Sequence, residues 1–160
     1  MAVDMFMKID DVAGESVDSS HAGEIDVLSW SWGASQTGSS AVAGGSGAGK
    51  ANVQDLTFGM HFEKSIPVLA GMLMAGTPFK QAQLTIRKAG TTPLEYIKVI
   101  MTTGIVSNVS FSGTPGSDFQ AASVSLNFSA VEVHYTPQAD DGTGAAEVVM
   151  GYDISANKAK

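Results

Sequence analysis

Leu56, Phe58, Met60 and Phe62 alternate strictly with Thr57, Gly59 and His61. A period of two sends successive side chains to opposite faces, which describes a strand with one dry side. The same period recurs in Val3 to Ile9, Ile25 to Gln36, Gln81 to Lys88, Leu94 to Met101, Ile105 to Phe111, Ala122 to Tyr135 and Glu147 to Ile154. A chain with so many alternating segments reads as antiparallel all-β. In the second of them Leu28, Trp30 and Trp32 fall on one side, and Val27, Ser29 and Ser31 on the other. One helix interrupts the series. Ser65 is expected as its N-cap, Pro67 fits its first turn and Gly76 its C-terminal cap. Ile66, Leu69, Met72 and Leu73 then share a face that can plug the end or side of a barrel.

Two irregularities bear on how the strands are covered. Val124, Leu126 and Phe128 are in one register, whereas Val131, Val133 and Tyr135 are in the other. Either a bulge lies near Ser129 and Ala130, or the strand changes neighbours and buries its opposite face. Leu94 to Met101 is apolar on both faces. Contacts between subunits would bury the second face, and so would a well-covered barrel.

The 160 residues are expected to form one domain, 1–160. A chain of this length buries roughly 70% of the surface exposed on unfolding, so it needs no staples. It has none to use, because there is no cysteine, which suits a reducing compartment. Met1 to Ile9 reads as a strand and not as a Sec signal, and no apolar run approaches the roughly 20 residues of a membrane helix. The chain is therefore expected to fold in the cytoplasm, without membrane insertion, and to leave the cell already folded if it leaves at all. Net charge is -7, with seven acids and a single lysine in the first 26 residues. That sign repels phosphate backbones and argues against nucleic acid as a partner.

Thr37 to Ala51 is rich in Gly, Ala and Ser and nearly uncharged. It is too long for a tight hairpin and reads as an arm that orders against a partner. Within it, Gly44, Gly45, Ser46, Gly47, Ala48, Gly49 and Lys50 match the spacing of a phosphate-binding loop. A phosphate loop follows a buried strand and opens a helix. Here a small polar stretch precedes the segment, strand alternation succeeds it, and Ala51 stands where a Mg²⁺ ligand belongs. The match is read as fortuitous, and Gly44, Gly45, Ser46, Gly47, Gly49 and Lys50 as contact residues of the arm.

No catalytic, cofactor or metal site is expected. No Gly-x-Ser-x-Gly elbow exists. His61 and His134 read as outward-facing strand positions. His21 lies with Asp18 and Glu24 in a loop, without the spacing of a zinc site. Arg87 and Lys88, with Lys80 and Lys98, are basic positions in an acidic chain. One reading is an ordinary solvated strand face. A sharper one pairs Arg87 and Lys88 with Asp10, Asp11, Glu24 and Asp26 of a neighbouring copy, a head-to-tail contact that closes into a ring if the rotation permits.

At Met1 to Phe6 with Lys8-Ile9, Gly14-Glu15-Ser16, His21, Glu24 to Gly33, Asn52 to Leu56, Leu84 to Gly90, Glu95-Tyr96, Val124 to Phe128 and Tyr135 to Gln138, the chain resembles the haemolysin-coregulated tube proteins of bacterial type VI secretion systems. The blocks Ile25-Asp26-Val27-Leu28-Ser29-Trp30-Ser31-Trp32-Gly33 and Leu84-Thr85-Ile86-Arg87-Lys88-Ala89-Gly90 are the most specific. The resemblance implies a compact β-barrel of two antiparallel sheets flanked by a helix. It also implies homohexameric rings that stack into a tube inside a contractile sheath, with a spike protein at the tip. Small effector proteins travel in the lumen, and the tube leaves the cell with them. The arm at 37–51 resembles the family's ring-to-ring loop. If Trp30 and Trp32 face the core, Ser29 and Ser31 face the lumen. The competing expectation is a monomeric β-barrel carrying a small apolar ligand.

Overall fold

In the computed structural model, residues 2–36 and 50–160 are described. Among them are eleven strands and one helix: β1 Val3–Ile9, β2 Ile25–Asp26, β3 Ser29–Ser31, β4 Ala34–Ser35, β5 Asn52–Val53, β6 Leu56–His61, α1 Ser65–Ala75, β7 Phe79–Lys88, β8 Leu94–Ser112, β9 Ala121–Tyr135, β10 Val148–Asp153 and β11 Lys158–Ala159. All pairings are antiparallel. Nine strands form one sheet, in the order β11-β10-β9-β8-β7-β1-β2, with β6 joined to β9 and β3 to β6. β4 and β5 form a second, two-stranded sheet. The all-β architecture with one short helix is as the alternation requires.

The expected long strand from Ile25 to Gln36 is in fact three short ones. The break comes where the chain changes partner. Val27 N–H donates to Met5 O on β1, whereas the next residue, Leu28, donates to Gly59 O on β6. Consecutive residues therefore bond to different strands, and the two ends of the sheet are drawn together around the core. The parity of the side chains shifts with the partner: Val27 is buried and Leu28 is exposed.

β9 resolves the phase slip by the same device. Its first part, Ala121 to Leu126, pairs with β6, and its last part, Ala130 to Tyr135, pairs with β10, while β8 runs along the other edge throughout. Ala130 and Val131 are adjacent and both buried, because cover changes face where the neighbour changes. The register shift in this pair lies on β8, between Val106 and Asn108, and not at Ser129. β8 is one 19-residue strand, joining the two segments read separately.

Met7, Ile9, Leu56, Phe58, Met60, Leu84, Met101 and Leu126 are almost fully buried and form the centre of the core. α1 packs on β8 through Ile66 and Leu69, both buried, with Met72 and Leu73 partly so. Its C-terminus closes as expected: Gly76 adopts φ 67°, its N–H reaches Leu73 O, and Thr77 N–H reaches Met72 O. The N-terminus differs. Lys64 is the N-cap and its side chain makes no cap bond. Two carboxylates serve instead: Glu15 Oε2 accepts from Lys64 N–H at 3.0 Å, and Glu63 Oε1 accepts from Ser65 N–H and its hydroxyl. Negative charge at a helix N-terminus is favoured by the exposed N–H groups there.

Candidate functional site

Four strands place small polar side chains on one face. In the register of β3, β6, β9 and β8, Ser29 lies opposite Gly59, Gly59 opposite Ser123 and Ser123 opposite Ser110. One step along, Ser31, Thr57, Ser125 and Asn108 form a second row. Residues directly opposite in an antiparallel pair share a face, so these eight residues, seven of them with polar side chains, line one continuous face, on which Ser29, Ser31, Asn108 and Ser110 are exposed and Ser125 is buried. Trp30, Phe58 and Val124, on the alternate positions, pack toward the core. The surface carries no charge, in a chain with 16% charged residues. Thr57 Oγ1 and Ser125 Oγ bond at 2.8 Å, and Ser29 Oγ lies over Gly59, where an added Cβ would meet it at 2.6 Å.

Each end of this face has a distinct border. At one, Asp55 accepts from Asn127 Nδ2 at 2.8 Å and from Ser107 Oγ at 2.6 Å, which commits its carboxylate to the sheet. At the other, the Phe119 ring lies over His61, tilted by 33° with centroids 4.6 Å apart, while Phe62 meets Phe111 edge-on at 5.3 Å on the opposite side of the sheet, where Phe111 pairs with Ala122. Ser29 and Ser31 were legible as polar positions from alternation. Thr57, Gly59, Asn108, Ser110, Ser123 and Ser125 belong to other strands, and only the register joins them to the first two.

The predicted contact charges are arranged differently. Arg87 is engaged inside its own subunit: Nη1 and Nη2 donate to the two oxygens of Asp18 at 3.0 and 2.5 Å, and Nη2 also donates to Asp4 at 3.0 Å. The Arg87 bond, reinforced by the Ser20 N–H, holds the Asp18 carboxyl well below the usual range, and Asp18 and Asp4 push the guanidinium above its own. Arg87 also lies 5.1 Å over the Phe6 ring, which stacks on His21 at 4.2 Å. The two ring nitrogens of His21 lie 2.8 Å from Glu24 and 2.7 Å from Glu95. Glu24 is thus occupied as well. Lys88 lies 4.6 Å over the Tyr96 ring, and Lys98 pairs with Glu95 at 3.5 Å. These contacts fold the 10–24 loop over β1, β7 and β8. The loop's backbone is close-packed at Gly14, where a Cβ would come within 2.3 Å of Glu24 O. Asp10, Asp11 and Asp26 form no ion pair among the described residues.

Gly44, Gly45, Ser46, Gly47 and Gly49 lie outside the described residues. Lys50 is exposed, and it leads into β5 and not into a helix. No group of His, Asp or Glu among the described residues is arranged to hold a metal. No helix among them is long and apolar enough to cross a membrane.

A small antiparallel β domain with a broad neutral face and one flanking helix is the class these observations define, and relatives of that class are found in type VI secretion. The family described as "Type VI secretion system effector, Hcp" matches residues 6–135, and the chain belongs to it. Protein hcp1 of Pseudomonas aeruginosa is 50% identical over 159 residues, covering 98% of each chain. The crystal structure of Hcp1 from Salmonella typhimurium is similar over 100% of both chains, with 36% identity and a TM-score of 0.80. A structure of a type six secretion system protein matches with a TM-score of 0.93 at 28% identity, over 99% of this chain and 100% of that one.

Proposed function

We propose that the chain is the tube subunit of a type VI secretion system, forming six-membered rings whose channel is lined by the face of Ser29, Ser31, Thr57, Gly59, Asn108, Ser110, Ser123 and Ser125. The continuity of that face over four strands carries the reading. A channel that conducts folded cargo needs a wall that neither traps charge nor offers an apolar patch, because either would lengthen the stay of whatever touches it. Short hydroxyl and amide side chains give such a wall. The cargo is then small effector proteins. The rings stack into a tube, a spike protein sits at its tip, a contractile sheath surrounds it, and the protein passes from the cytoplasm to the outside by that route.

A carrier of small apolar ligands is the weaker reading. An apolar pocket of about 180 Å³ is lined by Trp32, Ala34, Ala51, Val53, Val131, Met150 and Tyr152. Ligand sites run to roughly 300–1,000 Å³. Negative-stain microscopy of the purified protein tests the ring directly, and six-fold rings are expected. Ser31→Phe then tests the face. Rings should persist while co-purification of small effector proteins is lost; loss of the rings themselves would mean that this face lies in a subunit contact.

A further inference from the structure

β10 has an open edge. β11 pairs only with Tyr152 and Asp153, so the outer side of Val148, Val149 and Met150 has no strand partner among the described residues. All three side chains are exposed, at 64%, 49% and 44%. Isolated exposed apolar residues are ordinary, but three in succession on an unpaired edge are a template for association that proteins normally blunt. Lys158 and Lys160 border this edge. Lys158 lies opposite Asp153, and Lys160 N–H bonds to Gly151 O. The Asp153 carboxylate is committed to Ser155 and Ala156 in the turn.

The 10–24 loop, on the far side of the same sheet, carries the complementary features. Val17 is 95% exposed, yet its neighbours are fixed: Ser16 is buried and exchanges backbone bonds with Glu24 and Gly23, and Asp18 is gripped by Arg87. The loop is thus ordered while its apolar tip is left bare. Asp10 and Asp11 stand at its root.

Strand register links the two sides, whose chemistry is complementary. Met5, Ile86, Ile97, Tyr135 and Val148 form one cross-strand row from β1 to β10. Arg87, which holds Asp18, is one residue from it. Gln81, Thr102, Ala130, Asp153 and Lys158 form another, and Asp10 N–H bonds to Gln81 O at its near end. The rows are about 17 Å apart along the strands, and each spans about 19 Å from β1 to β10. By strand register the apolar tip of the loop lies beside the row that ends at the apolar edge, and the acids lie beside the row that ends at the lysines. A contact between these two different surfaces is head-to-tail, the kind that closes into a ring if the rotation permits.

We propose that the β10–β11 edge of one subunit docks on the 10–24 loop of the next copy, with Val148, Val149 and Met150 against Val17, and Lys158 and Lys160 against Asp10 and Asp11. The proposal rests on the ring reading above and names its contact. It keeps two of the acids expected from the sequence, Asp10 and Asp11, leaves out Glu24, which pairs with His21, and Asp26, and moves the cationic side from Arg87 and Lys88, which are engaged within the subunit, to the C-terminal lysines.

Sedimentation velocity and native mass spectrometry over a concentration series provide the test. Lys158→Glu with Lys160→Glu, and separately Asp10→Lys, should each raise the concentration of half-dissociation about tenfold or more, and more so at low salt. Combining all three should recover most of the loss, because the charges are then exchanged. Val17→Asp should weaken assembly without moving the melting temperature of the dissociated subunit, since that side chain is almost wholly exposed. Charge variants that assemble like the wild type, or a combination no better than its parts, would overturn the contact while leaving the ring reading intact. A wild-type chain that stays monomeric at every concentration would overturn both.

Discussion

Arg87 holds Asp18 by two parallel bonds, Nη1 to Oδ1 at 3.0 Å and Nη2 to Oδ2 at 2.5 Å, across 69 residues of sequence. A guanidinium fork matches a carboxylate in this way, and a lysine cannot. Arg87→Lys and Arg87→Met are therefore expected to loosen the loop while leaving the main sheet folded. Amide exchange at Gly14, Ser16 and Gly23, whose N–H groups are bonded within the loop, should accelerate in both, and more in the methionine variant. Unchanged exchange would show that the grip does not hold the loop.

The same pair makes the loop acid-sensitive. Asp18 is depressed in the folded state, first by the Arg87 bond and then by the Ser20 N–H. A carboxyl lowered on folding contributes fully above its unfolded pKa, about 3.9, and the contribution is withdrawn as pH falls below that value. Melting temperature should thus decline on acidification below about pH 4, and Asp18→Asn should flatten that part of the profile. An identical slope in the variant would place the acid sensitivity elsewhere.

Leu69 is fully buried between α1 and the sheet. Leu69→Ala removes that contact and leaves a cavity, at a cost of about 2–5 kcal/mol. Each kcal/mol should lower the melting temperature by about 2–4 °C in a chain of this size. A loss below about 1 kcal/mol in urea unfolding would mean that the helix is not part of the cooperative core.

Glu15 and Glu63 cap the helix jointly: Glu15 N–H donates to Glu63 Oε2 at 2.9 Å, and Glu15 Oε2 accepts from Lys64 N–H at 3.0 Å. The arrangement works like a capping box assembled across the chain. Glu15→Ala should cost about 0.5–2 kcal/mol, as loss of a cap does, and Glu15→Gln less, since its amide oxygen still accepts. Urea unfolding of both variants distinguishes a cap from a surface charge of no consequence, which would leave both near the wild type.

Where one strand keeps one pair of neighbours, alternation was enough. β1 and β6 follow their sequence patterns almost to the residue, because their partners do not change along their length. Where the partner changes, local pattern misleads. Val27 and Leu28 bond to different strands, and the parity read for Leu28 fails there. Phe6 departs from the pattern for a different reason: it lies on the outer face of β1, yet it is buried because His21 covers it from the loop. No periodicity reports a residue arriving from 15 positions away to cover a face.

The sequence by itself determined the all-β class, the single helix and its glycine stop, the family, and the polarity of Ser29 and Ser31. Each of these comes from steric and apolar preferences acting over a few residues, or from motifs read in line. Only the tertiary structure decided that Ser29 and Ser31 join six residues of three other strands in one neutral face. It alone showed that Arg87 is engaged by Asp18 and Asp4 of its own chain, and that the sheet has an open apolar edge on one side and an exposed loop tip on the other. Those relations depend on strand register and on which side chain reaches a charge first, and both are set by contacts between residues far apart in sequence.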